Sequence, residues 1–559
     1  MQATRQIAVR TPLGKDKLLL SGFSGREAMS QLFRYELNLL AKNDTEVRFD
    51  KLLGQPMTVD IALPAGKRRF FHGIVSKFSE GSRETEFTQY WAEVVPQCWL
   101  LTKQVRSRIF QQLSVIDILK QVFAGFDIEY GTRGQYRPRN YCVQYRESDF
   151  DFASRLMEEE GIFYFFKHEA DRHTMVLGVT PGVHPNVPDQ PTITFEEVIG
   201  GTRPGERITE WERTQEIRST KVSLWDHRLE MTRDHLQAEQ RAPEDVAVGQ
   251  SVDRLRLLPG QKLDVLDFPG EYGKRFDSVG PGGAERPGEM TAMLEDKERT
   301  ARIRMEQETV PGVVIRGTGK CRSLACGHKF TLRGHHNADG AYLLTSVDYS
   351  AQLSGEFRSG LSTNAEFRAD FTCIPAGIAY RPLRKTARPL IYGTQTAHVV
   401  GPQDFEIFTD KFGRVKVQFH WDREGQSTAA SSCWVRVAQV WAGKRWGASF
   451  WPRVGQEVVV AFENGDPDAP IIVGSVYNAE QMPPYQGDGP DKHHPFDNKL
   501  SGIKTCSTPG GDGFNELRFD DTKGKEQVFL HAQSRKDERV GGDSLEDVGN
   551  DRHLIVRGN

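Results

Sequence analysis

Residues 538–559 read ERVGGDSL, EDVGNDRH and LIVRGN, so Val540-Gly541, Val548-Gly549 and Val556 recur at a spacing of eight, the third copy without its paired glycine. At about 3.3 Å per residue an octad spans less than about 26 Å. Each copy is one short strand and one glycine corner, with only one or two apolar residues. A single chain built this way has no core to bury. Several chains wound together stack their valines along a common axis, as neighbouring repeats do in β-solenoids. Val540, Gly541, Val548, Gly549 and Val556 are therefore the expected octad core of an assembly.

Upstream of the needle, a Pro- and Gly-rich stretch over 479–500 (AEQMPPYQGDGPDKHHPFDN at its centre) reads as a linker, its His493-His494 pair a feature of that linker. Before it, residues 398–478 hold four or five short strands separated by turns. Val415, Val417, Phe419 and Trp421 alternate with Arg414, Lys416, Gln418 and His420, the period of a sheet with one buried face. That density of strands fits a small closed barrel of the oligonucleotide/oligosaccharide-binding (OB) type. Residues 381–397, with two prolines, several cations and no apolar periodicity, read as a second linker.

Residues 1–380 read as strands punctuated by three helices. TVDIAL (58–63) and FFHGIV (70–75) are expected strands, the second broken by Gly73, and Trp91, Glu93 and Val95 continue the alternation. Ser114 is placed to cap a helix with Asp117 in its first turn, Ile118, Leu119, Val122 and Phe123 on one face and Gly125 as its stop. Ser148 begins a second, with Asp151, Phe152, Leu156 and Met157, ended by Gly161 and followed by the strand IFYFF. A third is expected over Thr291–Gln307.

The chain has 559 residues, which at about 150 residues per domain argues for three or four domains. Hydrophobic residues at 38% and charged residues at 27% describe a water-soluble globular chain. Lys and Arg total 73 against 76 Asp and Glu, a net charge of −3 that lacks the cation surplus of a nucleic-acid binder. Gly at 53 residues and Pro at 28 favour many short strands over long helices. The seven scattered cysteines read as reduced thiols. The N-terminal residues show no signal-peptide core, and no run approaches the length of a membrane span.

Candidate chemistry is thin. Cys321, Cys326 and His328, with His335 and His336, have a wide cysteine spacing and a poorly separated histidine pair, so core or loop residues are expected rather than a zinc site. GVVIRGTGK (312–320) fails as a phosphate loop because Val314 and Cys321 stand where Gly and Ser or Thr are needed. No G-x-S-x-G elbow or H-E-x-x-H pair is present. Glu158-Glu159-Glu160, at a helix end, reads as a solvated face. Trp434, Trp441, Trp446, Phe450 and Trp451 leave open a sugar- or nucleic-acid-binding barrel, although residues 398–478 carry about as many acids as bases.

These residues together resemble the valine-glycine repeat protein G (VgrG) family, the spikes of bacterial type VI secretion systems. The resemblance rests on FGRVKVQFHWDREG (412–425), WVRVAQVWAG (434–443), PRVGQEVVVAFENGDPDAPIIVGSVYN (452–478), SGIKT (501–505) and NELRFDDTKGKEQVFLHAQ (515–533), with FRYELNLL (33–40) and ESDFDFASRLMEEEGIFYFF (147–166) nearer the N-terminus. It implies a mainly β chain with a few helices: a phage-baseplate-hub-like region over 1–380, with two β-barrel subdomains, then an OB barrel over 398–478. Residues 501–559 would then be the neck and the beginning of a triple-stranded β-helix shared by a homotrimer.

The resemblance also implies a mechanical part rather than an enzyme, with no catalytic residue, cofactor, metal or nucleic acid. The implied partners are the hexameric Hcp tube, a PAAR-repeat tip protein, baseplate components, effectors or their adaptor chaperones and, transiently, a target membrane. Such a spike is made in the bacterial cytoplasm without a signal peptide and driven out by sheath contraction. Two departures stand out: the 479–500 linker is too short for the lysozyme domain of the phage spike, and the needle holds only about two and a half octads before Asn559. Either this variant is short or the chain is truncated. The rival readings are an evolved spike with an enzymatic effector domain beyond the visible chain, and an OB-fold sugar- or nucleic-acid-binding protein.

Overall fold

The structure, a computed structural model, describes residues 5–63, 66–134, 136–196, 205–258, 262–354, 364–485 and 499–558. The His493-His494 pair lies outside them. The chain is mainly β, with helices α1 (Val115–Val122), α2 (Asp149–Glu160) and α3 (Gly288–Thr309) among the described residues. Local chemistry sets the first two. The Ser114 hydroxyl accepts the Asp117 N–H and the Ser148 hydroxyl accepts the Asp151 N–H, satisfying donors that a helix start leaves unpaired. Gly161 closes α2 at φ 66°, a left-handed conformation that costs glycine little.

A twelve-stranded sheet dominates the first 380 residues. Its first half runs Ile7–Arg10, Pro56–Ala62, Arg68–Arg83, Phe87–Val95, Arg34–Lys42 and Leu19–Ala28, the last pairing with Gly340–Ser354. From Gly340–Ser354 the order continues through Lys329–Arg333, Thr192–Phe195, Arg207–Gln215, Val313–Gly319 and Asn364–Pro375. Asn364–Pro375 pairs back on Gly340–Ser354, so this second half closes into a barrel.

Gly73 does not break its strand, which runs unbroken from Arg68 to Arg83. A Cβ there would sit 2.6 Å from Val94 Cγ1 and from the Val95 carbonyl oxygen, so the glycine lets two strands and the Phe33 ring pack closely. In the strand that follows, Tyr90, Ala92 and Val94 point inward and Trp91 is 44% exposed, but the alternation ends at Val94 and Val95, which are both buried.

The OB barrel orders its strands Lys416–Phe419, Gln395–Val400, Glu457–Phe462, Pro470–Val476 and Arg436–Val437. The Val415–Val435 bridge joins the two ends and closes it. Val415, Val417 and Phe419 enter its core as the alternation requires. The other face is solvated only at its far end, where His420 is exposed. Arg414 is buried against the hub segment at Asp277, pairing with Asp277 and Asp410, and Lys416 is buried within the barrel, its Nζ donating to the Ser432 carbonyl and lying 4.9 Å over the Trp434 ring. The Trp434 Nε1–H also donates to the Gly280 carbonyl at 2.9 Å, tying barrel to hub.

The acidic end of α2 departs furthest from expectation. Glu159 and Glu160 are 3% and 5% exposed rather than solvated. Glu159 pairs with Arg139 at 2.8 Å and Arg388 at 2.5 Å, and Glu160 with Arg139 at 2.5 Å and Arg299 at 2.6 Å. Burial alone would push both carboxyls up. Arg388, Arg139 and Arg155 instead hold Glu159 well below the usual carboxylate range, and Arg299, Arg139 and Arg275 bring Glu160 to about 2. Arg388 comes from the Pro-rich stretch before the barrel, where Arg381 pairs with Glu306 and Arg384 with Glu271. That irregular segment is strapped to the hub by its cations, and the strand Gln395–Val400 begins directly beyond it.

Candidate assembly surface

Beyond the barrel the chain forms a three-stranded antiparallel meander: Leu500–Lys504, Glu516–Asp520 and Gln527–His531. The register places Ile503, Leu517 and Leu530 in one row and Phe519 and Val528 in the next. With period two, all five side chains leave the same face. They are 51%, 37%, 58%, 41% and 68% exposed in that order, so the face is apolar and uncovered. On the opposite face the Arg518 guanidinium lies 4.6 Å over Phe529, and Lys504 Nζ lies 4.4 Å over Phe514. Isolated apolar side chains on a surface are ordinary, but a contiguous apolar face on a sheet marks a contact surface. Burying such half-exposed side chains contributes on the order of 1 kcal/mol each, and an assembly multiplies that by the number of copies.

The meander is anchored to the barrel at one end. Arg453 Nη2 donates to the Cys506 carbonyl at 2.8 Å, and the Glu406 carboxylate accepts the Thr508 hydroxyl at 2.5 Å and the Gly510 N–H. At the other end the octads follow without a strand. Val540, Val548 and Val556 are 49%, 43% and 74% exposed, and a Cβ on Gly541 or Gly549 would meet nothing within 4 Å. One chain thus does not bring its five octad residues together; none belongs to a buried cluster. The octads were legible as a repeat. The meander face was missed, although its signal, the alternation L-R-F at 517–519 and V-F-L at 528–530, is in the sequence.

The other candidate residues lie elsewhere. Cys321 and Cys326 are buried in the hub core, and burial pushes both thiols well up. His328 turns Nδ1 to the Cys326 carbonyl at 3.0 Å, while His335 and His336 stack on each other at 4.3 Å. Among the described residues no cluster of His, Cys, Asp and Glu has the geometry to hold a metal ion. Of the barrel aromatics, Trp434 is core, whereas Trp441, Trp446, Phe450 and Trp451 are exposed. Among the described residues no helix is long and apolar enough to cross a membrane.

Comparison with known proteins covers nearly the whole chain. Residues 26–355 match the phage tail baseplate hub (GPD) family, 404–477 the type VI secretion system/phage-baseplate injector OB domain, and 501–559 the bacteriophage T4 gp5 C-terminal trimerisation domain. The type VI secretion system spike protein VgrG1b of Pseudomonas aeruginosa is 40% identical over 99% of this chain and 71% of its own length. VgrG1a of the same organism is 40% identical over 98% of this chain and 80% of its own. Among solved structures, the E. coli c3393 protein, described as a type VI secretion component resembling T4 gp27 and gp5, superposes with a TM-score of 0.55 at 20% identity, covering 84% of this chain and 100% of its own. The lidded Francisella PdpA-VgrG complex gives a TM-score of 0.57 at 10% identity, covering 93% of this chain and 74% of the matched one.

Proposed function

Because this chain belongs to the VgrG family of type VI secretion system spike proteins, we propose that three copies assemble into a spike that caps the Hcp tube, carries a PAAR-repeat protein at its tip and delivers effectors through a target membrane. The observation that carries this reading is the uncovered apolar face of Ile503, Leu517, Phe519, Val528 and Leu530, inside the segment matched to a trimerisation domain. Three such faces turned to a common axis bury one another. The octads extend that axis, with Val540, Val548 and Val556 inward and Gly541 and Gly549 at the corners. In this reading residues 1–380 are the hub, 398–478 the barrel, and 501–559 the neck and needle base, joined by linkers at 381–397 and 479–500.

The work assigned to such a spike is mechanical. Sheath contraction supplies the energy and drives tube and spike out of the cell, so the chain itself has to supply shape and stiffness. The buried ion pairs between hub, strap and barrel support that role. Native mass spectrometry and light scattering of the full chain test the reading: a trimer is expected, and a monomer at micromolar concentration would overturn it. Co-sedimentation with Hcp tubes tests the cap, with end-bound spike expected and no association contradicting it.

A further inference from the structure

One exposed element of the barrel is neither core nor part of the meander. The segment Trp441–Gly447 folds back as a tight hairpin, with an Ala442–Gly447 bridge, the Gly443 N–H donating to the Trp446 carbonyl at 2.8 Å and the Ala448 N–H to the Trp441 carbonyl at 2.9 Å. Arg445 (φ 62°) and Gly447 (φ 133°) make the turn. A Cβ at Gly443 would lie 2.3 Å from the Trp446 ring, so the glycine is what lets that ring fold over the backbone. The Gln439 side chain clamps the base, accepting the Phe450 N–H at 2.9 Å and donating to the Phe450 carbonyl at 3.1 Å. The backbone is therefore fixed before any partner arrives.

What it presents is unusual for a loop tip, where small polar residues are the rule. Trp441 and Trp446 meet edge to face at 5.0 Å and are 64% and 57% exposed; Val440 beside them is 88% exposed and Phe450 54%. Lys444 and Arg445 form the exposed tip. Rigid tryptophans flanked by arginine are the composition of interface anchors. An open groove of about 800 Å³ runs between the hairpin, whose Trp441 and Trp446 form one wall, and Phe412, Gly413, Arg436, Val437 and Trp451 on the other. Both features are continuous with the trimerisation segment, since Arg453, two residues after Trp451, holds the Cys506 carbonyl. A threefold ring is closed by head-to-tail contacts, which need two unlike surfaces on every copy. The hairpin and the groove are such a pair.

We propose that the Trp441–Gly447 hairpin is an arm that docks into the groove beside the hairpin of a neighbouring copy of this chain, forming a ring of three contacts at the level of the barrel. The proposal rests on the trimeric reading and adds the residues that lock it above the meander. The test uses the full chain with Lys444→Cys in a Cys506→Ser background, labelled with a maleimide above and below the concentration at which the trimer dissociates. Labelling at least tenfold slower in the trimer is expected. Equal rates in a chain that is trimeric by light scattering would overturn the docked arm alone. A chain that stays monomeric at every concentration would overturn the trimer and the arm together. The double variant Trp441→Ala/Trp446→Ala is expected to raise the dissociation concentration at least tenfold with an unchanged circular dichroism spectrum; an unchanged dissociation concentration would contradict the arm.

Discussion

Arg414 of the barrel grips Asp277 of the hub through two parallel hydrogen bonds, Nη1 to Oδ2 and Nη2 to Oδ1, each 2.9 Å long, while its Nε donates to Asp410 at 2.6 Å. The paired side chains of Arg414 and Asp277 are 3% and 4% exposed. Removing one partner of a buried pair costs about 3–5 kcal/mol where the other charge is left alone; Arg414 keeps Asp410, so losing the two charge-assisted bonds to Asp277 costs about 2–3 kcal/mol. Asp277→Asn is therefore expected to lower the free energy of urea unfolding of the full chain by that amount, read as a fall in the midpoint at unchanged slope, and to speed proteolysis within 381–397. Unchanged values on both would show that the barrel is held to the hub by other contacts.

Glu160 joins Arg139 and Arg299 at the end of α2. Glu160→Gln keeps the shape and removes one of the two carboxylates that each guanidinium faces, leaving Arg139 with Glu159 and Arg299 with Asp296. The expected cost is about 2 kcal/mol, read as a fall in the unfolding midpoint. A change below about 1 kcal/mol would return this acidic run to the surface role its sequence suggests.

Four buried histidines make the hub acid-sensitive. Burial holds His168 and His173 down to about 3 and His184 and His328 to about 4. Geometry agrees for His173: the Gln97 N–H donates to its Nε2, so its own proton sits on Nδ1 and is given to His72 Nδ1 at 2.8 Å. The folded pKa values lie below the unfolded value of about 6.5, so the stability these groups allow is complete above that pH. As pH falls further the unfolded chain takes up protons that the folded chain refuses. Each group then removes about 1.4 kcal/mol per pH unit until its folded pKa is reached, or about 2 kcal/mol each at pH 5. Thermal unfolding should shift down steeply between pH 6.5 and 5, and a flat profile in that window would contradict the assignment.

Phe519→Glu and Val548→Asp test the assembly surface from two heights. Each places three carboxylates near the proposed axis, where unpartnered burial costs several kcal/mol per ion. Analytical ultracentrifugation should show weakened trimers while the melting of the hub is unchanged. A variant trimer as tight as the parent would place that side chain away from the axis.

The features legible in the sequence were those with local causes. Ser114 and Ser148 cap helices three residues before an aspartate, and the Val415, Val417 and Phe419 alternation enters a closed barrel as read. The failures have remote causes. Glu159 and Glu160 are buried by arginines that arrive from positions 139, 299 and 388, and Arg414 by a hub segment more than a hundred residues earlier. A period-two pattern reports one covered face and is blind to a second cover of matched charge. Gly73 looked like a break because its reason, the Val94 and Phe33 side chains across the sheet, is not adjacent in sequence. The octads announced an assembly, yet the larger apolar area of the meander was hidden in two short triplets.

The joint between hub and barrel also fixes how the molecule responds to its medium. Counterions screen exposed charges that lie farther apart than about 8 Å in physiological saline, and they screen pairs enclosed by protein far less. Arg414–Asp277 and Arg139–Glu160 are enclosed in this sense. The angle at which the barrel stands on the hub is thereby insulated from osmotic circumstance, the same in dilute buffer as in brine.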